Sequence, residues 1–393
     1  MFTTISSSRR GRRLAAMALA TSITALLLAG CTTSAGGGDG GGSAEACAAK
    51  VDPKDAKLIL GVGDVASAYW QEVIAGAQAV ADSVGAELTV FDGKFDGQTM
   101  LNNLTSALAG GGANTAIVVD PSSNAFAKPI VESAQQAGAR IVTLWQRPTE
   151  NHPWDFGGGC WVAHTAFDGT EGGRVNSEEL FAAMGGSGNI VALQGVPDVP
   201  TNKQRLYGLG EALKATPSVT LLDMQTAFWT APNAQTAINS LLSKFPNQID
   251  GIFSANDDMA VGAVEALRSA GLNGQIPVTG FDGSADMLQL IKAGDALSTV
   301  KTDAYGQGAY AMAIAYAALI GDIDVNDLTH EQRDFYLKQQ LVTAANVDEA
   351  LAITDNFDPA DYAYDVLKKD FWASATGQID DDTWIPTPEL PLP

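Results

Sequence analysis

Short runs of β-branched and other apolar residues alternate with stretches of helical periodicity from Lys57 onward. This alternation is typical of βαβ units, in which helices cover both faces of a parallel sheet. Ala-Gly pairs at 137–138 and 270–271 fit helix C-caps, and Asp168 and Asp257 fit N-cap or first-turn positions. The predicted strands are Leu58–Gly63, Glu87–Phe91, Thr115–Asp120, Arg140–Trp145, Cys160–His164, Asn189–Gly195, Val219–Gln225, Gly251–Asn256, Pro277–Asp282 and Leu297–Thr302.

The number of predicted strands favours two domains over one. Ten parallel strands are more than one sheet comfortably holds, and the pattern breaks near residues 164–170, which divides them about evenly. The predicted fold class is therefore α/β with two doubly wound parallel-sheet lobes. A (β/α)₈ barrel is the competing interpretation, but it has to absorb surplus strands. Residues 351–393 lose the alternation and end in a Pro-rich run, so we interpret them as a C-terminal appendage.

The N-terminal segment predicts export. A basic region with four arginines at 9–13 precedes an apolar stretch at 14–28 that is short for a membrane span, which is typical of a signal peptide. The residues Leu-Ala-Gly-Cys at 28–31 resemble the lipobox of bacterial lipoproteins, in which the cysteine is lipidated. We expect a signal peptide over 1–30, lipidation at Cys31, a Gly-rich tether over 31–56, and anchorage at the outer face of the cell membrane, reached by the general secretory or the twin-arginine route.

Charge and cysteine content exclude several classes of function. The chain has 45 acidic and 23 basic residues, and removal of residues 1–30 takes its net charge from −22 to −26, which disfavours nucleic-acid binding. None of the three cysteines and three histidines has a metal-ligand spacing, so no metal is expected. Cys47 and Cys160 either form a disulfide, as exported proteins allow, or remain isolated thiols.

Aromatic and polar side chains lie at the predicted carboxyl ends of the strands, where open α/β sheets bind ligands. An aromatic ring packs against the apolar face of a sugar, and Asp and Asn exchange hydrogen bonds with hydroxyl groups. Each such residue also fits a helix cap or a core position when taken alone, so the prediction depends on their joint placement. The candidates are Asp120, Trp145, Asn256, Asp282 and Thr302 at strand ends, Tyr69 and Trp70 opening the first helix, and Trp229 after the strand at 219–225.

Several motifs resemble the type I periplasmic sugar-binding proteins, and in particular the ribose-binding proteins, over roughly residues 57–347. The sharpest are Ser-Ala-Asn-Asp-Asp-Met-Ala-Val-Gly-Ala at 254–263 and Thr-Gly-Phe-Asp-Gly at 279–283; Arg-Leu-Tyr-Gly at 205–208 and Tyr69-Trp70 support them. The resemblance implies that Tyr69, Trp70 and Trp229 stack on a sugar, and that Arg205, Asn256 and Asp282 bind its hydroxyl groups.

The sequence departs from the pentose binders of this family at one position in particular. Where they have an Asp-Arg pair after the fourth strand, this chain has Trp145-Gln146-Arg147, so we expect Arg147 to compensate through a one-residue shift. Ser67 replaces an Asn in the first loop, and Thr302 stands where Gln is common. The ligand is therefore expected to be a monosaccharide or a related polyol rather than a specified pentose.

The resemblance also implies how the chain passes between the lobes. One lobe is expected to contain residues 57–166 and 303–330, and the other residues 167–302 and 331–350, with hinges near Phe167, Thr302 and Glu331. Such a protein works as a monomer without a cofactor, closes on its ligand, and delivers it to the permease of an ABC transporter.

Three alternatives use a similar core. A doubly wound sugar-modifying enzyme is disfavoured because the chain has no nucleophile elbow, no phosphate-binding loop and no dinucleotide fingerprint after the first strand. A sugar-responsive transcription regulator would carry a helix-turn-helix where this chain has its export signal. A chemosensory receptor subunit of the same fold is not separated from a transport protein by the sequence.

Overall fold

The structure of the protein, a computed structural model, describes residue 47, residues 49–386 and residue 390. The predicted signal peptide, Cys31 and most of the tether lie outside the described residues. The strands are β1 Lys57–Val62, β2 Leu88–Asp92, β3 Thr115–Val119, β4 Arg140–Leu144, β5 Trp161–Ala166, β6 Gly188–Gln194, β7 Val219–Thr226, β8 Gly251–Ser254, β9 Thr279–Asp282, β10 Ser298–Thr302, β11 Asp334–Leu337, β12 Gln339–Thr343 and β13 Ala375–Gln378.

The helices connect these strands, as the alternating pattern predicts. Short 3₁₀ segments lie at Pro53–Asp55, Gly157–Gly159, Val325–Asp327 and Pro359–Tyr362. The α-helices are α1 Ala68–Val84, α2 Gly97–Leu108, α3 Asn124–Ala137, α4 Gly169–Ala183, α5 Pro200–Ala215, α6 Ala231–Lys244, α7 Asp257–Ser269, α8 Ala285–Ala293, α9 Ala304–Ile320, α10 His330–Arg333, α11 Val347–Asp355, α12 Tyr364–Leu367 and α13 Asp381–Trp384.

The first lobe is built on a seven-stranded sheet with the order β13-β11-β5-β4-β3-β1-β2. Its strands are parallel except for β13, which pairs antiparallel with β11. Successive side chains of a strand point to opposite faces. Accordingly, Leu60 and Val118 pack with α1 and α9 on one face, whereas Ile59 and Ile117 pack with α2 and α3 on the other.

The second lobe contains two three-stranded sheets, β7-β6-β8 and β9-β10-β12. A parallel bridge between Ile252 and Val278 joins them, and β12 is antiparallel to β10. Helices α4 to α8 and α11 cover these strands and share one apolar core with them. Open sheets with helices on both faces in each lobe confirm the predicted α/β class with two doubly wound lobes and exclude the closed barrel.

The chain passes between the lobes four times. The crossings follow β5, follow β10, lie at Lys338 between β11 and β12, and follow α11. The third differs from the crossing expected near Glu331, because β11 still belongs to the first sheet, where it pairs with β5. The buried side chains of Phe335 and Leu337 on β11 pack into the first-lobe core, which explains the later crossing.

The C-terminal segment is part of both lobes rather than a separate appendage. Helix α11 packs in the second-lobe core, and the chain then returns to the first lobe. There, Tyr364, Phe371 and Trp384 are buried, and β13 extends the sheet edge. The residues beyond Leu351 therefore complete the first lobe.

Cys47 and Cys160 form a disulfide with their Cα atoms 5.3 Å apart, so of the two alternatives the structure contains the paired one. Cys160 precedes β5, and the bridge therefore joins residue 47 covalently to the first lobe. Within the part of the chain that the structure describes, every helix is too short or too polar to cross a membrane.

Candidate ligand-binding site

A cavity lies between the lobes at the carboxyl ends of both sets of parallel strands. Eight of the ten predicted ligand-binding residues line it, and Arg147 and Thr302 do not. The full lining is Ser67, Tyr69, Trp70, Phe95, Asp120, Ser122, Trp145, Gln146, Val196, Val199, Thr201, Arg205, Trp229, Asn256 and Asp282.

The first lobe contributes three aromatic side chains whose rings contact one another along one side of the cavity. Tyr69 contacts Trp70 edge-on with ring centroids 5.0 Å apart, and Trp145 with centroids 5.8 Å apart. The indole Nε1 of Trp145 donates to the Tyr69 hydroxyl at 3.0 Å, and that hydroxyl donates to Oε1 of Gln307. Burial and the nearby Asp282 raise the pKa of Tyr69, so the phenol stays neutral. These bonds fix the rings before any ligand arrives.

The facing ring, Trp229, depends on a glycine at the end of β6. A Cβ on Gly195 would lie 2.1 Å from the indole of Trp229, so only glycine leaves room for the ring. Asn256 holds the same loop, because its Nδ2 donates to the Trp229 carbonyl at 3.3 Å. Its Oδ1 accepts from the Met259 amide at 3.0 Å, which makes Asn256 the N-cap of α7 as well as a cavity residue.

Left-handed backbone conformations are concentrated around the cavity. Five of its non-glycine lining residues have positive φ angles: Phe95 (52°), Ser122 (60°), Trp145 (61°), Trp229 (67°) and Asp282 (129°). Such conformations cost on the order of 1–3 kcal/mol for a residue with a side chain and persist only where the surroundings enforce them. The strain redirects side chains at the strand ends into the space between the lobes.

Arg205 on α5 is the cation of the cavity, and it is 3% exposed. Its guanidinium lies 3.6 Å from the Phe281 ring centroid, and 5.4 and 5.7 Å from those of Trp145 and Trp229. Nη1 donates to the Ala255 carbonyl at 2.5 Å, and Nη2 lies 3.5 Å from Oδ1 of Asp282. Burial lowers the pKa of Arg205, an effect that Asp282 opposes. The rings and the carboxylate thus stabilise a largely desolvated charge.

Two buried residues fix the position of Asp282 by hydrogen bonds to its backbone and to the turn that follows it. Asp257 accepts from the backbone amides of Gly283 and Ser284, both at 2.7 Å, and so fixes the turn that follows β9. Thr302 donates from Oγ1 to the Asp282 carbonyl at 3.0 Å. Burial raises the pKa of Asp282 well above its ordinary value, although the Arg205 charge lowers it.

Asp120 is the second carboxyl group of the cavity. It directly follows β3, is 3% exposed, and accepts from the Ser122 amide at 3.1 Å. Burial raises its pKa to about 7. Among the described residues no cation lies within 4 Å of it to offset the desolvation, in contrast to Asp282. The group is therefore available as an acceptor, or when protonated as a donor, for a bound hydroxyl group.

The prediction that Arg147 compensates for the missing clamp in the cavity is wrong. Its side chain is fully buried away from the cavity, where Nη2 lies 2.7 Å from Oδ2 of Asp334 and 2.8 Å from Oδ1 of Asp381. Its guanidinium also lies 5.1 Å from the Trp384 ring centroid. Because these partners hold Arg147, Gln146 lines the cavity in its place.

Thr302 also differs from its predicted role. It is 1% exposed, and its hydroxyl donates to the Asp282 carbonyl instead of facing the cavity. A strand exposes alternate side chains to each face, so position at a strand end alone does not decide where a side chain points. Thr302 therefore positions Asp282.

Seven lining residues are not among the ligand-binding residues predicted from the sequence: Ser67, Phe95, Ser122, Gln146, Val196, Val199 and Thr201. Thr201 precedes Arg205 by one helical turn on α5, so helical spacing is a signal that could have identified it. Phe95 and Ser122 lie beyond strand ends and are turned inward by positive φ angles, which no residue pattern in the sequence reveals.

The lining favours binding over catalysis. It consists of aromatic rings, two valines, hydroxyls, amides, two carboxyl groups and one guanidinium, and among the described lining residues there is no His, Cys or Lys. Among the residues that the structure describes, no group of three or more His, Cys, Asp or Glu side chains could hold a metal ion.

Comparison with known proteins gives consistent results. The sequence profile described as "Periplasmic binding protein domain" matches residues 60–323. The xylitol-binding protein of Mycolicibacterium smegmatis is 32% identical over 47% of this chain, a match that spans half of that protein. The ribose import binding protein of Salmonella typhimurium is 27% identical over 63% of this chain and 79% of its own length.

A solved structure agrees over a longer part of the chain. The crystal structure of a twin-arginine translocation pathway signal protein from Burkholderia phytofirmans superposes with a TM-score of 0.79 at 32% identity. The superposition covers 82% of this chain and 98% of that one. The family resemblance inferred from the sequence motifs is thereby confirmed.

Proposed function

Because the chain belongs to the periplasmic binding protein domain family, we propose that it is an exported binding protein that captures a monosaccharide or sugar alcohol between its lobes and delivers it to an ABC-type importer. The single observation that carries this proposal is the cavity in which Arg205, Asp282 and Asp120 are enclosed by aromatic rings. The relatives named above are described as binding xylitol and importing ribose, a sugar alcohol and a sugar.

The chemistry of the cavity suits a polyol. Trp70, Trp145 and Trp229 offer apolar faces to C–H groups, and the carboxyl, amide and guanidinium groups offer directed hydrogen bonds to hydroxyls. A hydroxyl missing or misplaced in the wrong isomer would leave a buried polar group unpaired, at about 1–3 kcal/mol each. The same residues thus provide both affinity and stereoselectivity.

Closure of the lobes is the proposed mechanism of capture. Phe95 of the first lobe packs against the second-lobe core, and Arg205 of the second lobe lies over the first-lobe Trp145 ring. These contacts across the cavity would be lost if the lobes separated about the crossings. A ligand that contacts both lobes therefore stabilises the closed form, which a permease can recognise.

Anchorage and partners complete the proposal. Lipidation at Cys31 would hold the protein at the outer face of the membrane, with the tether allowing it to reach the permease. The family is one of exported binding proteins, and the lipobox resemblance supports the anchor. Metabolic labelling with a fatty-acid analogue, compared between wild type and Cys31→Ser, tests this part on its own.

A thermal-shift screen tests the ligand class. The chain from residue 32 onward, which keeps the Cys47–Cys160 disulfide, is screened against pentoses, hexoses, sugar alcohols and nucleosides, with amino acids as the contrasting class. We expect one monosaccharide or sugar alcohol to raise the unfolding midpoint, since a ligand that binds only the folded state stabilises it. We also expect Trp229→Ala to abolish the shift.

Phe228→Ala is the matched control. Phe228 is the neighbour of Trp229 in the same loop, but it is 52% exposed and does not line the cavity. Its replacement should leave the ligand-induced shift intact. A response to amino acids with none to any sugar or sugar alcohol would contradict the proposed ligand class.

A further inference from the structure

The segment Ala375–Pro386, which we call the C-terminal strap, lies outside the part of the chain matched by the family profile. It begins as β13 on the edge of the first sheet and ends beyond α13. Trp384 in α13 is completely buried, and its indole Nε1 donates to the Arg147 carbonyl at 2.8 Å. The C-terminal strap is therefore packed against the first lobe through a buried, hydrogen-bonded side chain.

Charged and ring-containing side chains attach the C-terminal strap to the first lobe. Asp381 accepts from Nη2 of Arg147 at 2.8 Å and lies 2.8 Å from Nε2 of His152. The Arg147 guanidinium also lies over the Trp384 ring, and His164 contacts the same ring edge-on at 5.2 Å between centroids. Together with Asp334 on β11, these contacts hold Arg147 outside the cavity.

The strap also contacts the second lobe, next to the cavity. Gln204 on α5 is 1% exposed, and its Nε2 donates to the Trp384 carbonyl at 2.9 Å and to the Tyr336 hydroxyl at 3.3 Å. Both acceptors belong to the first-lobe side of the interface. Gln204 directly precedes Arg205. Further along, Leu390 packs against the second-lobe core.

We propose that the C-terminal strap is a latch between the lobes, which holds the Gln204–Arg205 turn of α5 against the first lobe in the closed form. This inference rests on the proposed function only in that it assumes lobe closure. Opening would separate the Gln204 amide from the Trp384 carbonyl, and both groups are buried, so the bond favours closure. The latch adds a noncovalent link to the four crossings of the main chain.

The first experiment measures closure without any ligand. Small-angle X-ray scattering compares the radius of gyration of the chain from residue 32 onward with that of its Gln204→Ala variant. We expect the variant to be measurably larger, because the loss of the latch shifts the ligand-free population toward open lobes. Gln225→Ala is the matched control, since Gln225 is an exposed glutamine of the same lobe that bonds Asp223 instead. It should leave the radius unchanged.

The second experiment titrates xylitol and D-ribose into the same proteins. For whichever probe binds, we expect Gln204→Ala to raise Kd about fivefold, mainly through faster dissociation. Tyr336→Phe removes the weaker acceptor and keeps the strap contact, so its Kd should stay within about twofold of wild type.

A double-mutant cycle separates a latch from general destabilisation. Asp381→Asn changes a partly exposed strap residue on the first-lobe side, and its effect on Kd should be less than additive with that of Gln204→Ala. If Gln204→Ala fails to fold, Asp381→Asn alone must enlarge the radius of gyration. Unchanged radius and unchanged Kd in the variants refute the latch while the proposed function stands. If neither probe binds wild type, scattering alone decides, and an unchanged radius refutes the latch.

Discussion

Asp120→Asn provides the most direct test of the electrostatics of the cavity. The carboxyl group is buried at the end of β3, and burial raises its pKa from 3.8 to about 7. Asparagine has nearly the same shape, cannot ionise, and can still accept the hydrogen bond from the Ser122 amide. The substitution therefore removes the titration and changes the packing little.

The sign of the effect follows from the direction of the pKa shift. Between pH 3.8 and about 7 the folded protein holds a proton on Asp120 that the unfolded chain has lost. The stability contributed by this group is complete below pH 3.8 and is lost as the pH rises through 7. At 1.36 kcal/mol per pH unit, wild type should lose up to about 3 kcal/mol relative to Asp120→Asn between pH 5 and pH 8.

Chemical denaturation of the ligand-free protein at pH 5 and pH 8 measures this difference. Comparison with the variant is essential, because Glu72, with a pKa raised by burial to about 7, titrates over the same range. Asp198→Asn is the control, since that side chain is 98% exposed and should give the same difference from wild type at both pH values. If the gap between Asp120→Asn and wild type is equal at pH 5 and pH 8, the argument from desolvation is wrong.

Two further substitutions test the packing around the cavity. Gly195→Ala should displace the Trp229 ring, raise the ligand Kd at least tenfold and change the tryptophan emission spectrum. An unchanged Kd would show that the close approach of Gly195 does not position the Trp229 ring. Arg147→Met should lower the free energy of unfolding by about 3–5 kcal/mol, because it leaves Asp334 buried and unpaired. The double variant with Asp334→Leu should recover most of this loss. A denaturant titration that finds no recovery would contradict the pairing of Arg147 with Asp334.

The fold could be predicted largely from local patterns, because each strand and helix is short and strongly periodic. Asp120, Trp145, Asn256 and Asp282 could be predicted as cavity residues from one rule about strand ends in parallel sheets. That rule succeeds because all strands of such a sheet present their carboxyl ends at one edge. Arg205 lies within a helix, and only the family resemblance identified it.

The errors have a different origin, namely contacts between residues far apart in the sequence. Arg147 is held by Asp334 and Asp381, which are 187 and 234 residues away, so its environment is not visible in its own neighbourhood. The third crossing is displaced because β11 pairs with β5, some 170 residues earlier by the Asp334–His164 register. Left-handed turns at Phe95 and Ser122 likewise depend on tertiary packing rather than on glycine.

The covalent bridge between Cys47 and Cys160 has a mechanical consequence. Any force applied to the chain ahead of residue 47 enters the folded body through a bond to the start of β5. Tension is thus carried by the first lobe alone, and none of it has to pass through the crossings or the rings around the cavity. A pull on the N-terminus would leave the second lobe free to swing.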